Sequence, residues 1–427
     1  MFNFFHRQKK EAAFVALDIG TTVIKALIFT VEQKYNKKGE QIGKRAIIQG
    51  MGKVSHFLND IHNTAITDVA SVANSAKRAI LEAIVKIPRL VPQKFIMGVG
   101  GEFVRGITMV MEYKREEGKE TKIDLSELQN IVHKLQWKAF GESRKALSEE
   151  MGYPEIDIKL IESAIVDIAI DGYKVSNPLG FQGKTIQLSI FNAFAPLVHF
   201  EALQAIVSEI NLESLGIVSE PYALSRCLNE YSSEKSVILI DVGGFSTDLT
   251  LLEKGVLSGT KIFSIGSHTI TKRIATELNI SLEEAEKIKL AYTSDKLEKK
   301  SKKWIEKIIV EDISVWLSGL ILALSDFQQI KVLPSKILLC GGGAYLSEIK
   351  EALTQTKWYQ KLPFYEKPEI AFITPSHLTN NLIDETRQLK NNEDIIPLSL
   401  VNSGLELLEE EAIMQKVLKK VIGIMKI

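Results

Sequence analysis

The chain has 427 residues, with 53 basic against 53 acidic side chains. That length admits two or more cores, and the even charge argues against a surface built to hold nucleic acid. Cys227 and Cys340 form no C-x-x-C pair, the seven histidines show no H-x₃-H or H-E-x-x-H spacing, and the apolar run Val315–Leu324 is too short to span a bilayer. No disulfide framework, zinc site or transmembrane helix is therefore expected.

In chain order, M-F-N-F-F-H-R-Q-K-K opens a leader without the apolar core of a signal peptide. Phe2, Phe4 and Phe5 offer at most a weak surface contact. Phe14–Phe29 reads as an apolar strand ending at Asp18, a glycine turn and a second strand. Gly20 lets backbone N–H groups approach an anion. Thr21 and Thr22 add hydroxyl donors and Lys25 a point charge. An aspartate beside phosphate calls for a cation between them, and Mg²⁺ held partly through water suits it. An ordinary tight hairpin is the plain alternative.

Asp68–Lys86 has helical spacing and stops at Pro88. Phe95–Met111 reads as strands broken at Gly100-Gly101, and Lys114–Glu120 as a loop tip. Asp124 starts a helix, with Glu127 completing a capping box. Ser163–Pro196 is strand-like. Gly180–Thr185 ends like a Walker A loop, but two residues separate its glycines instead of four, and strand alternation follows. A helix from Leu197 leads to a strand ending at Glu220. On its residues alone that carboxylate favours the helix N-terminus.

Ser236–Glu253 repeats the first hairpin: Asp241 ends a strand, Gly243 and Gly244 turn it, and Ser246 and Thr247 follow. Such internal similarity reports architecture, and two facing hairpins make a clamp for a nucleoside triphosphate. Gly266–Val332 is helical. Glu286 and Lys289 lie one turn apart, the spacing of an exposed ion pair. Lys336–Leu346 is a strand, a glycine turn and a helix start. Gly341, Gly342 and Gly343 would let a purine lie on the backbone, or simply make a tight turn. Glu411–Ile427 places Ile413, Val417, Val421 and Ile424 on one stripe with Lys416, Lys419, Lys420 and Lys426 beside it. This is the pattern of a helix in a membrane interface, or of one docked on the protein's own core.

Hairpin, hairpin and glycine turn in this order resemble the actin-like ATPases. Within them the chain is most similar to FtsA, through Asp171–Gly183, Ile265–Ala275 with Ser281–Lys289, Val401–Leu408 and the basic tail. The resemblance implies an α/β fold, actin-like (ribonuclease H-like), duplicated into two domains with an inserted 1C (SHS2-type) subdomain. It places a leader at 1–11, subdomain 1A at 12–91, 1C at 92–195, a return to 1A at 196–233, and 2A at 234–265. It then places 2B at 266–332, a return to 2A at 333–375, the last of 1A at 376–410, and a membrane-targeting helix at 411–427. It implies ATP with Mg²⁺ held by Asp18 and Asp241, and phosphates held by Gly20, Thr21, Thr22, Lys25, Gly243, Gly244, Ser246 and Thr247. The nucleoside falls to Glu286, Lys289 and Gly341–Gly343, and the catalytic role to Glu220, with weak or absent turnover.

Implied partners are FtsZ at 2B, further copies in a filament, anionic lipid through Ile413–Ile427, and other division proteins at 1C, on the inner face of the cell membrane at the division site. Nucleic acid is not among them. Two departures stand out. The tail follows the last helix almost directly, and Phe245 stands where a third glycine is common. A PilM-like pilus adaptor is the alternative, expected to lack a lipid-binding tail and most of 2B. A kinase or chaperone is a more distant one.

Overall fold

The computed structural model describes residues 11–427 apart from 56–60, 63–64, 116–120, 229–235, 328–329, 409–412 and 426–427. The leader, with its three phenylalanines, lies outside the described residues.

The first half begins with β1 (Glu11–Ile19), β2 (Val23–Tyr35) and β3 (Gln41–Ser55), an antiparallel meander. Helix α1 (Val69–Ile84) is capped by Asp68, whose side chain accepts from the Ser71 N–H. Its alanine face approaches β3 closely because Gly50 and Gly52 have no side chain there. A Cβ on Gly52 would lie 1.9 Å from the Ala79 carbonyl oxygen. Strand β4 (Leu90–Val99) runs parallel to β1.

An insert follows: β5 (Arg105–Lys114), α2 (Leu125–Met151), β6 (Ile158–Ile170) and β7 (Thr185–Pro196), with β7 lying between the other two strands. Asp124 caps α2, but the Glu127 carboxylate reaches Arg115 at 2.8 Å and leaves the expected capping box half made. Helix α3 (Leu197–Glu209), β8 (Glu213–Ser219) and α4 (Glu220–Cys227) return to the first sheet, where β8 runs parallel to β4. The boundary expected at Pro92 is corrected. Leu90–Val99 is bonded on both sides within the first sheet, so the insert starts at Arg105.

The second half repeats the plan. Strands β9 (Val237–Val242), β10 (Thr247–Glu253) and β11 (Val256–Phe263) form a meander. Helices α5 (Ser267–Leu278), α6 (Leu282–Thr293) and α7 (Lys299–Ser325) follow. The length and composition of α7 would allow it to cross a membrane. Its inner face instead buries Ile305, Ile309, Ile313, Trp316 and Leu320 in this half's core. Strand β12 (Lys336–Cys340), α8 (Ser347–Gln355) and β13 (Glu369–Phe372) continue the second sheet, with β12 parallel to β9 and β13 parallel to β12. Strand β14 (Leu382–Asp384) crosses back to pair with β3, and α9 (Ile395–Leu408) packs beneath the first sheet. The orders β3-β2-β1-β4-β8 and β11-β10-β9-β12-β13 are the same arrangement twice.

The insert joins the halves. Its strand β5 meets β11 edge to edge at Ile107 and Gly259. Thr260 Oγ1 donates to the Gly106 carbonyl at 2.9 Å, and Arg105 donates to the Ile262 carbonyl at 3.2 Å. Helix α10 (Ile413–Met425) ends the chain against the insert. Val417, Leu418 and Val421 are buried in one cluster with Leu128, Ile131 and Leu135 of α2. Of the two surfaces open to the tail's apolar stripe, the structure seats it on the protein's own core.

Candidate functional site

Asp18 stands opposite Lys25 in the β1–β2 ladder, and Asp241 stands opposite Asp248 in the β9–β10 ladder. The two hairpins therefore share a pair of positions, filled by acid and lysine in one and by two acids in the other. A Cβ on Gly20 would lie 2.6 Å from the Val23 carbonyl oxygen, and one on Gly244 would lie 2.8 Å from Thr21 Oγ1. The tips of the hairpins touch, and glycine is what lets them.

The hydroxyls of the second tip are already engaged. Ser246 donates to Asp248 at 3.1 Å. Thr247 donates to the Ile265 carbonyl at 2.7 Å and accepts from the Trp316 indole at 2.8 Å, fully buried. The expected phosphate role of Thr247 is thereby corrected: strand alternation turns its side chain away from the cleft and toward α7. Phe245 packs on His268 with ring centroids 4.4 Å apart. Its side chain therefore lies against α5, while the Ser267 and His268 N–H groups hold the Gly243 and Gly244 carbonyls at 3.0 and 2.7 Å.

Four carboxylates face one another here. Burial pushes Asp18 up to about 6 against the pull of Lys25. It pushes Asp241 up to about 7, helped by Asp248 and Asp18, and Asp248 up to about 6. Glu220, the first residue of α4, is held well above the usual carboxylate range by burial and by the charges of Asp18, Asp241 and Asp248. Gly100 makes room for it, since a Cβ there would lie 2.4 Å from Glu220 Oε2. Burial is the main cause of the rise in each acid, and Lys25 and Arg105 offset it only in part. Among the described residues no three His, Cys, Asp or Glu side chains are grouped to hold an ion directly. The donor set suits Mg²⁺ that keeps several waters and completes its shell on phosphate oxygens.

The glycine turn after β12 lies across the end of β9. Gly341 has φ +89°, and a Cβ there would lie 2.1 Å from Asp241 Oδ1. One on Gly343 would lie 2.7 Å from Val242 Cγ1, whereas one on Gly342 meets nothing within 4 Å. Only the middle glycine opens onto free space, where a flat ring could approach. The segment before α9 ties this turn to the first hairpin. The Asn392 carbonyl accepts from the Gly341 N–H at 3.3 Å. The Lys25 ammonium donates to the Glu393 carbonyl, and Lys53 pairs with the Glu393 carboxylate at 3.1 Å. Lys25 is thus held by Glu393 while still acting on Asp18 and Asp241.

Glu286 and Lys289 do not form a solvated pair. Lys289 is 6% exposed. It lies 2.8 Å from Glu286 and donates to Thr271 at 2.9 Å, while Thr271 donates to Glu286 at 2.6 Å. The triangle fastens α6 to α5. Sequence reading missed Asp248 and Glu393. Asp248 was within reach, because it follows Asp241 at the offset by which Lys25 follows Asp18. Glu393 is brought to Lys25 by tertiary folding alone.

Two halves of one strand order, with hairpin tips that touch beside a shared group of carboxylates, define the actin-like fold. The PilM-PilN type IV pilus biogenesis complex contains a chain of this fold, with TM-score 0.61 at 17% identity, covering 92% of this chain and 98% of that one. The model of the family described as cell division protein FtsA matches residues 238–383. The cell division protein FtsA of Neisseria meningitidis is 23% identical over 290 residues, 67% of this chain and 62% of that protein. That of Bacillus subtilis is 24% identical over 287 residues, 65% of this chain and 57% of that protein. By sequence the chain is similar to the cell division protein FtsA over about two thirds of its length. It spans about three fifths of the length of the curated relatives it matches.

Proposed function

We propose that the chain binds Mg-ATP between its halves and works as a division-site actin homologue, polymerising on the cytoplasmic membrane and linking FtsZ to it. The observation that carries this reading is the pair of matched hairpins, with Asp18 opposite Lys25 in one and Asp241 opposite Asp248 in the other. Asp18 and Asp241 would hold the water shell of Mg²⁺, with Asp248 beside them. The ion supplies the positive charge that lets phosphate enter an acidic cleft. Gly20, Thr21, Thr22, Gly243, Gly244 and Ser246 would bind phosphates through backbone and hydroxyl groups, with Lys25 and its Glu393 partner alongside. Gly342 would meet the adenosine, bordered by the Glu286–Lys289 triangle. Glu220 would orient the attacking water, with turnover weak or absent. Because both hairpins and the Gly341 turn grip one ligand, nucleotide would act as a latch between halves.

Co-pelleting with purified FtsZ and anionic vesicles, with and without Mg-ATP, tests the proposal. Recruitment of FtsZ to vesicles only in the presence of this chain supports it. Failure of recruitment in all conditions removes the tether.

A second reading, a PilM-like adaptor, is favoured by one observation: the fold match reaches 92% of this chain. That coverage exceeds what would remain if all of Gly266–Val332 lacked a counterpart. The lobe therefore does not separate the readings, and the tail and FtsZ binding do.

A further inference from the structure

Helix α10 has one apolar face, and the structure uses it. Val417, Leu418 and Val421 are 4%, 1% and 4% exposed, within the same cluster as the insert's own Leu128, Ile131, Leu135, Ile165 and Ile168. Lys416 and Lys420 lie exposed on the other side. A helix lying in a bilayer interface buries that same apolar face among acyl chains. It cannot do both at once.

We propose that α10 has two exclusive seats, the insert and an anionic lipid surface, so that lipid binding removes part of the insert's core. The inference rests on the lipid-binding reading of the tail. Docking leaves the lysines outward, able to meet an anionic surface before the helix lets go. The five Cα steps from Leu408 to Ile413 reach at most about 18 Å, so the membrane must lie close to the end of α9. The coupling is reciprocal. Whatever stabilises the docked helix weakens lipid affinity by the fraction of chains left undocked. An undocked share of about one in ten lowers it about tenfold.

The test is hydrogen exchange on the full chain, read over α2 and β6, with and without vesicles of phosphatidylcholine and phosphatidylglycerol, alongside flotation. The proposal expects the chain to float and α2 amides to exchange on the order of tenfold faster when vesicles are present. The double variant Lys416→Glu with Lys420→Glu should keep α2 protected without vesicles, and lose both flotation and the vesicle-induced change. Flotation with α2 protection unchanged overturns the two-seat inference and leaves lipid binding standing. Absence of flotation removes the lipid reading itself, and the second seat with it.

Discussion

Glu162, on strand β6 of the insert, accepts a hydrogen bond from the Ser219 backbone N–H at 2.9 Å. Ser219 immediately precedes Glu220, so a side chain of the insert holds the backbone that aims the candidate catalytic acid. Burial pushes Glu162 up to about 8, the Ser219 N–H pulling the other way and Glu406 adding to the rise. Between pH 4.5 and 8 the folded chain keeps a proton that the unfolded chain has lost, so Glu162 makes stability fall as pH rises through that window. In urea denaturation between pH 5.5 and 8, Glu162→Gln should remove a decline of about 1 kcal/mol per pH unit. An unchanged slope would mean that Glu162 ionises freely in the folded state.

The three glycines of the turn at Gly341–Gly343 should separate fold from ligand. Gly343→Ala forces a Cβ against Val242 and the Gly243 carbonyl, and should cost about 1–3 kcal/mol. Gly342→Ala meets open space. It should leave stability within about 0.5 kcal/mol while weakening ATP binding about tenfold or more, if adenosine lies against it. Denaturation and nucleotide titration of both variants provide the check.

Thr247 and Thr21 make the opposite pair. Thr247→Val leaves the Trp316 indole and the Ile265 carbonyl without their partner. It should cost about 2 kcal/mol and affect nucleotide affinity only through that loss. Thr21→Val, at the meeting hairpin tips, should change stability little and lower ATP affinity. Thermal melts beside binding isotherms distinguish the two.

Lys25 lies among Asp18, Asp241 and Glu393, with Lys53 on the far side of Glu393. Lys25→Ala should destabilise the chain by about 3 kcal/mol, because buried acids lose their counter-charge. Added Mg²⁺ should restore more stability to this variant than to the parent chain, as a cation takes over part of that task. Equal responses to Mg²⁺ in calorimetric scans would place the ion elsewhere.

How much of this was legible depended on whether a residue's partner is local. The duplication, the turn glycines and Asp18 and Asp241 stand in the sequence because each hairpin is a short-range unit. The same offset pointed to Asp248. A hydroxyl beside a glycine turn, such as that of Thr247, looks free in the sequence until its partners Ile265 and Trp316 are in view. The seat of α10 could not be read, since an amphipathic stripe specifies an apolar partner and not which one. The strand at Leu90–Val99 was cut at Pro92 for a similar reason: its place in the sheet is fixed by β1 and β8, both distant in sequence.

On the proposed reading, Mg²⁺ and ATP together complete the acidic site. Isothermal titration of the full chain with ATP, in Mg²⁺ and then in EDTA, beside Asp241→Asn, tests it most directly. The account predicts micromolar or tighter binding in Mg²⁺ that weakens at least about tenfold in EDTA and in the variant, while the variant, relieved of one buried charge, is more stable than the parent without ligand. Binding of equal strength with and without Mg²⁺, and unchanged in Asp241→Asn, would contradict it.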